Sequence, residues 1–130
     1  LVPLFKRAQI TPSDLALALR GEGAGEFHDL DELTIFADNL VPHVLRVDGL
    51  LSYSQPLADL LERGEPLPAG SAMEVEVRAV ALHAVELMVE ELRLHGRSVS
   101  ARELDLLLWN RGQGSRYRGG SKHRTLTTFY

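Results

Sequence analysis

The chain has 130 residues, of which 45% are hydrophobic, and this is the length and composition of one domain with its own core. It contains no cysteine, which excludes disulfides and thiolate metal sites, and it has no apolar run long enough to predict a transmembrane helix. The net charge of -4 is unevenly distributed, because the segment from Arg111 to Arg124 carries five basic residues and no acid. Such a segment is typical of an anion-binding stretch or of a solvated loop.

The first helix is predicted to begin at Thr11-Pro12, where Thr11 suits the N-cap and Pro12 the first turn, and to continue to Arg20. The residues before it, 4–10, fit a helical turn or a strand equally well. The sequence starts Leu1-Val2-Pro3-Leu4, without an initiator methionine. We therefore expect the chain to be part of a longer protein.

A helical hairpin is predicted next. Its first helix starts near Asp29, which has capping-box spacing to Glu32, and its apolar side continues to Phe36. Its second helix has Pro42 near the first turn and Gly49 at the C-terminal end. The connection of about four residues contains Asp38.

The rest of the chain is also predicted to be helical, which gives a single all-α domain over residues 1–130. A fourth helix ends at Gly64, the longest runs from about Ala72 to His95, and a sixth contains Trp109. The Gly-rich and basic stretch from Arg111 to Ser121 is predicted to be a mobile loop. The last residues, 122–130, are predicted to form an extended tail.

Asp38 is an isolated acid between an apolar segment and a helix start, and two interpretations fit it. It can cap the following helix, which is the common use of Asp at this position. It can also be a working carboxylate in a partly desolvated cleft, where it would stabilise a developing cation or take a proton from water. Backbone N–H groups nearby would favour its ionised form.

Glu74 and Arg78 are a second candidate pair, because they are four residues apart on the longest predicted helix. Both fall on or beside its apolar side, where polar groups need partners or a ligand. Ser71 and Glu74 also have capping-box spacing, which explains Glu74 without a ligand. The five histidines show no metal-binding spacing, so no metal site and no cofactor are expected.

Two basic clusters, Lys6-Arg7 and Lys122-His123-Arg124, lie at opposite ends of the chain. If the ends meet, they form a site suited to a phosphate group. The stretch Arg116–Gly120 mixes basic residues with one aromatic, a weak indication of single-strand nucleic-acid binding.

The chain resembles the queuosine salvage protein family over nearly its whole length. The segments that carry the resemblance are Leu4–Gln9, Gly25–Phe27, Asp29–Thr34, Phe36–Asp38, Val41–Pro42, Leu51–Ser54, Glu74–Arg78 and His123–Tyr130. The family is about twice as long as this chain, so the match corresponds to its C-terminal half. The sequence departs from the family pattern at Asn39-Leu40, His43 and Leu126.

The resemblance implies a nucleotide N-glycosidase that hydrolyses queuosine 5'-monophosphate and releases queuine for reuse in tRNA. It also implies a helical fold similar to that of helix-hairpin-helix DNA glycosylases, in which an Asp after the hairpin supports a cationic sugar. Asp38 occupies that position here. The resemblance thus favours catalysis over capping for Asp38.

The hypothesis assigns a role to each candidate residue. Asp38 is catalytic, the rings of Phe36, Tyr53 and Trp109 stack on the substrate, and Asp31, Glu74 and Arg78 form hydrogen bonds with it. Lys6, His123 and Arg124 hold the 5'-phosphate. The expected partners are the small nucleotide and the N-terminal part of the protein, in the cytoplasm, with no membrane and no direct contact with tRNA.

The alternative hypothesis is a non-enzymatic helical module. It would bind tRNA or single-stranded nucleic acid through the basic residues 111–124, with a strong dependence on salt. The absence of an aromatic platform counts against it.

Overall fold

The computed structural model describes residues 2–127, and this part of the chain is helical with no strand. The five α-helices are α1 (Lys6–Ala18), α2 (Leu40–Val47), α3 (Gln55–Glu62), α4 (Ala72–Leu94) and α5 (Ala101–Gly112). Short 3₁₀ turns lie at Gly23–Gly25, Leu30–Glu32 and Ser115–Tyr117. The all-α class predicted from the sequence is confirmed. Within the described residues no helix combines the length and apolar character needed to cross a membrane.

Two apolar clusters form the core, and both involve α4. The larger cluster joins α2, α4 and α5, with Val44, Val85 and Leu108 among its members. The smaller cluster joins α3 and the first half of α4 through Leu61 and Val77. Helix α2 thereby packs against both α4 and α5.

The first helix begins five residues earlier than the sequence indicated, at Lys6, and Pro12 lies inside it. Thr11 is therefore not its N-cap. Its hydroxyl instead donates to the carbonyl of Arg7, one turn back, at 2.9 Å. The sequence of residues 4–10 fitted either a helical turn or a strand, and the structure has a helix from Lys6 onward.

The predicted helix from Asp29 to Phe36 is wrong, and so is the hairpin built on it. Only a 3₁₀ turn forms, at Leu30–Glu32. The following backbone binds side chains from elsewhere: Thr34 N–H donates to Gln9 Oε1 at 2.9 Å, and Phe36 N–H donates to Asp105 Oδ1 at 3.0 Å. Donors used in this way cannot close helical turns, so the segment reaches Asp38 without a helix.

The stretch from Arg111 to Ser121 is more ordered than the predicted mobile loop. Helix α5 continues to Gly112, where an added Cβ would lie within 3 Å of the Leu40 side chain. Tyr117 is buried, and its hydroxyl donates to Asp48 at 2.9 Å. Two of the basic side chains, Arg111 and Arg116, form ion pairs with the same Asp48. This removes much of the free positive charge on which the nucleic-acid hypothesis depends.

The other helices match the sequence closely. Ser71 accepts from Glu74 N–H at the start of α4, and Ser100 forms a complete capping box with Glu103 at the start of α5. Residues 122–127 are neither helix nor strand, and they dock on the domain where Arg124 O accepts from Leu67 N–H at 2.8 Å. Its last three residues lie outside the described part of the chain.

Candidate active site

Asp38 is 9% exposed and lies immediately before α2. Its Oδ1 accepts from the backbone N–H of Leu40 at 2.8 Å and of Val41 at 2.9 Å. Asn39, the formal N-cap residue, makes no side-chain cap. Asp38 is therefore the cap, as the structural interpretation predicted. Its second oxygen, Oδ2, accepts no hydrogen bond from residues 2–127, so capping uses only one side of the carboxylate.

The backbone that carries Asp38 is held by a buried ion pair. Ala37 has a positive φ of 48°, a conformation that residues other than glycine rarely adopt, and its carbonyl accepts from the guanidinium of Arg78. Arg78 also pairs with Glu74, whose other carboxylate oxygen accepts from Gly70 N–H at 3.2 Å. Glu74 and Arg78 are 1% and 4% exposed. These contacts make the pair a support for the Asp38 loop.

Asp105 is a second buried carboxylate near Asp38, and sequence reasoning missed it. It lies on α5, is 4% exposed and accepts from Phe36 N–H. Burial raises its pKa to about 6, and the negative charge of Asp38 adds to the rise. The sequence does contain a signal for it: Asp105 stands in a run of leucines from Leu104 to Leu108, next to core positions of the predicted helix.

Replacing Asp105 by asparagine is expected to stabilise the fold at pH 8 but not at pH 4. The folded pKa is about 6, above the ordinary 3.8, so the stability contributed by protonated Asp105 is fully present below pH 3.8 and lost as the pH rises through 6. The loss amounts to roughly 3 kcal/mol. Asparagine avoids it and still accepts from Phe36 N–H. Urea unfolding at both pH values measures the difference.

The exposed acid Asp31 provides the control, since Asp31→Asn should not change stability in this pH-dependent way. If Asp105→Asn changes the free energy of unfolding equally at both pH values, ionisation of Asp105 carries no cost in the fold.

Three of the sequence candidates surround the two carboxylates. Phe36 is half-buried and precedes Asp38 by two residues. Trp109 is 44% exposed and follows Asp105 by one helical turn, so both project from the same side of α5. Lys6, at the start of α1, is close enough to lower the pKa of Asp105. We refer to these two acids, one cation and two aromatic rings together as the Asp38 cleft.

Two other candidates lie elsewhere. Asp31 is exposed and lines a cavity of about 470 Å³ with Arg93 and Arg97, near the C-terminal end of α4. Arg97 follows the C-terminal end of α4, whereas Arg78, which holds the Asp38 loop, is in the first half of that helix. Tyr53 belongs to the smaller apolar cluster, and the guanidinium of Arg46 covers its ring at 4.8 Å. Neither Asp38 nor Asp105 lines the cavity that contains Asp31 or belongs to the cluster that contains Tyr53.

Of the three residues predicted to bind phosphate, His123 and Lys6 lie near Asp38 and Asp105, and Arg124 lies beside α3. His123 is 1% exposed, and burial and the Arg78 charge lower its pKa to about 4, so it is neutral at pH 7. Arg124 donates to Gly64 O at 2.9 Å, beside α3. Lys6 is at the Asp105 side. The described residues also contain no group of three acidic or histidine side chains placed to bind a metal ion.

The comparisons with known proteins agree on one family. The family model described as queuosine salvage protein matches residues 1–130. A protein of Sphaerobacter thermophilus is 47% identical over 99% of this chain, one of Dictyostelium discoideum is 40% identical over 97%, and one of Mus musculus is 35% identical over 99%. Each is named queuosine 5'-phosphate N-glycosylase/hydrolase. The match covers only 39–41% of those relatives, so the chain spans about two fifths of their length.

Proposed function

The chain belongs to the queuosine salvage protein family, and we propose that it is part of an enzyme that hydrolyses the N-glycosidic bond of queuosine 5'-monophosphate and releases queuine for reuse in tRNA. The observation that carries this proposal is the carboxylate of Asp38, in which Oδ1 is held by two N–H groups and Oδ2 accepts no hydrogen bond from residues 2–127. The names of the relatives support the substrate. The hydrogen bonds of Asp38 and Asp105 support the choice of these two residues as the reacting acids.

Asp38 is proposed to act on the sugar. When the bond between the anomeric carbon and the base nitrogen breaks, positive charge develops on the sugar, and a nearby carboxylate stabilises it. A water molecule then bonds to the anomeric carbon, and its proton passes to Oδ2 of Asp38. The N–H groups of Leu40 and Val41 hold Oδ1, so the carboxylate does not need to reorient during the reaction.

Asp105 is proposed to act on the leaving base. Its raised pKa, about 6, leaves part of it protonated near neutral pH, so it can donate a proton to the departing base. Two carboxylates whose surroundings push their protonation apart are a common arrangement for acid and base roles. Phe36 and Trp109 are proposed to stack on the base, and Lys6 to attract the phosphate.

The remaining candidates have less direct roles in this proposal. Glu74 and Arg78 act through the loop that they hold. Asp31 lines another cavity and Tyr53 packs in the smaller apolar cluster, which argues against contact with the nucleotide. For His123 burial and a neutral ring argue against charge pairing with phosphate, and Arg124 is turned toward Gly64.

We also propose the setting of this part of the protein. Residues 1–130 form one C-terminal domain, and the remaining three fifths of the relatives' length corresponds to a partner region that completes the pocket. The fold is proposed to be related to helix-hairpin-helix DNA glycosylases, and an acid just before a buried helix supports this although the predicted first hairpin helix does not form. The proposed location is the cytoplasm, and no cofactor is required.

The proposal is tested by incubating the intact protein with a panel of nucleoside 5'-monophosphates and measuring free base by chromatography. Queuosine 5'-monophosphate is expected to give free queuine, whereas the standard four nucleotides give little base. Equal release from all nucleotides would contradict the substrate, and no release from any would contradict N-glycoside hydrolysis.

A further inference from the structure

A basic cleft lies beside α2 and the loop that follows α5. It consists of two adjoining cavities of about 330 and 320 Å³, which share Gly120 and Ser121. One is lined by His43 and Arg46 of α2, and the other by Lys122 and Arg124. Asp38 and Asp105 line neither cavity.

The loop Gly119–Lys122 presents a run of backbone donors in this cleft. None of the four N–H groups donates to an acceptor in the described part of the chain. Gly120 has a φ of 93°, which glycine adopts without strain. Successive free N–H groups at a turn of this kind form a concave site for anions. The loop packs against His43, since an added Cβ on Gly120 would lie 3.5 Å from His43 Cε1.

The cations around the loop have no acid to neutralise them. No carboxylate lies within 4 Å of the charged groups of Arg46, Lys122 or Arg124 in residues 2–127, although Glu62 lines the far wall of one cavity. Arg46 is held over the Tyr53 ring. The positive charges of Lys122 and Arg46 are near enough to add to the lowering of the His43 pKa, which burial dominates.

His43 adds an unused polar atom to the same cleft. The side chain is 3% exposed, and Nε2 donates to Tyr117 O at 3.0 Å. Because the carbonyl only accepts, the proton of the neutral ring is on Nε2, and Nδ1 is a bare acceptor. Nδ1 has no partner in the structure. Nδ1 is itself buried, so a hydrogen phosphate ion in the cleft would bind through its oxygens to the N–H groups and the cations.

We propose that the cleft around Gly119–Lys122, which neither Asp38 nor Asp105 lines, is a phosphate-binding site. It takes a phosphate monoester or free phosphate through the backbone N–H groups, Lys122 and Arg46. Nothing in this argument depends on the N-glycosidase reaction, so the two proposals can fail independently.

The site is tested by titrating the intact protein with inorganic phosphate in a calorimeter, with chloride at equal ionic strength as the blank. Lys122→Gln is expected to weaken binding about tenfold or more, because a hydrogen bond to a charged group is lost. Lys122→Arg should retain most of the affinity. The control is Arg97→Gln, which removes a guanidinium from the cavity that contains Asp31 and Arg93. It should leave phosphate binding unchanged.

Phosphate that gives no heat beyond the chloride blank would overturn the proposal. Equal weakening by Lys122→Gln and Arg97→Gln would also overturn it, because binding would then follow net charge and not this cleft. Thermal unfolding of each variant identifies any that do not fold. If Lys122→Gln does not fold, the phosphate affinity of Lys122→Arg is compared with that of the unmodified protein and of Arg97→Gln.

The source of the phosphate group is decided by kinetics. If the cleft holds the 5'-phosphate of the substrate, Lys122→Gln raises KM for the nucleotide but not for the corresponding nucleoside, and inorganic phosphate competes with the nucleotide. If free phosphate is the ligand, KM is unchanged and phosphate does not compete, while the calorimetric loss remains. Either result supports a phosphate site at Gly119–Lys122.

Discussion

Replacing Asp38 by asparagine is expected to slow the release of queuine from queuosine 5'-monophosphate by roughly 10³-fold, the size of effect seen when a general base or a charge that stabilises the transition state is removed. The amide has nearly the same shape, and its oxygen can still accept from Leu40 and Val41 N–H. The fold should therefore lose no more than about 1 kcal/mol. Chromatographic rates and urea unfolding measure the two effects separately.

The matched control for this experiment is Asp31→Asn, because Asp31 is an acid of the same segment that lies away from the cleft. We expect it to retain the normal rate. An Asp38→Asn protein that folds, binds the nucleotide and releases base at the normal rate would show that capping is the only role of Asp38.

Replacing Arg78 by methionine is expected to destabilise the fold by about 3–5 kcal/mol, because it leaves the carboxylate of Glu74 buried with its main ionic partner removed. It also releases the carbonyl of Ala37, whose strained backbone carries Asp38. Base release should therefore fall in the fraction that remains folded. Denaturant unfolding gives the free energy, and single-turnover rates of the folded protein give the activity.

A double replacement separates charge from packing. Glu74→Gln combined with Arg78→Met removes both charges and should cost less than Arg78→Met alone. Arg93→Met, at an exposed position of the same helix, should change stability by no more than about 0.5 kcal/mol. If the double variant is as unstable as the sum of the single ones, the ion pair is not the source of the loss.

Local sequence signals predicted the starts of α4 and α5 and the ends of α2 and α3, because these boundaries depend on nearby residues. Ser71 and Ser100 bind the N–H groups three residues on, and Gly49 and Gly64 follow helix ends with positive φ. Asp38 was also recognisable, since an isolated acid before a helix start is either a cap or a functional group. The resemblance then favoured catalysis.

The structure around Asp38 could not be predicted from local signals, because contacts between distant segments determine it. Gln9 and Asp105 take the N–H groups of Thr34 and Phe36, from 25 and 69 residues away, and so prevent the predicted helix. The charges of Arg111 and Arg116 are used by Asp48, more than 60 residues earlier.

The sequence by itself determined the helical class, the helix boundaries that depend on caps, and the position of one candidate acid. The tertiary structure alone decided which polar groups are buried together. It brought Asp105 to Asp38, made Glu74 and Arg78 a support for the loop, and removed Asp31 and Tyr53 from the cleft. The reason is physical: burial and long-range hydrogen bonds depend on packing between segments, which periodicity and spacing do not record.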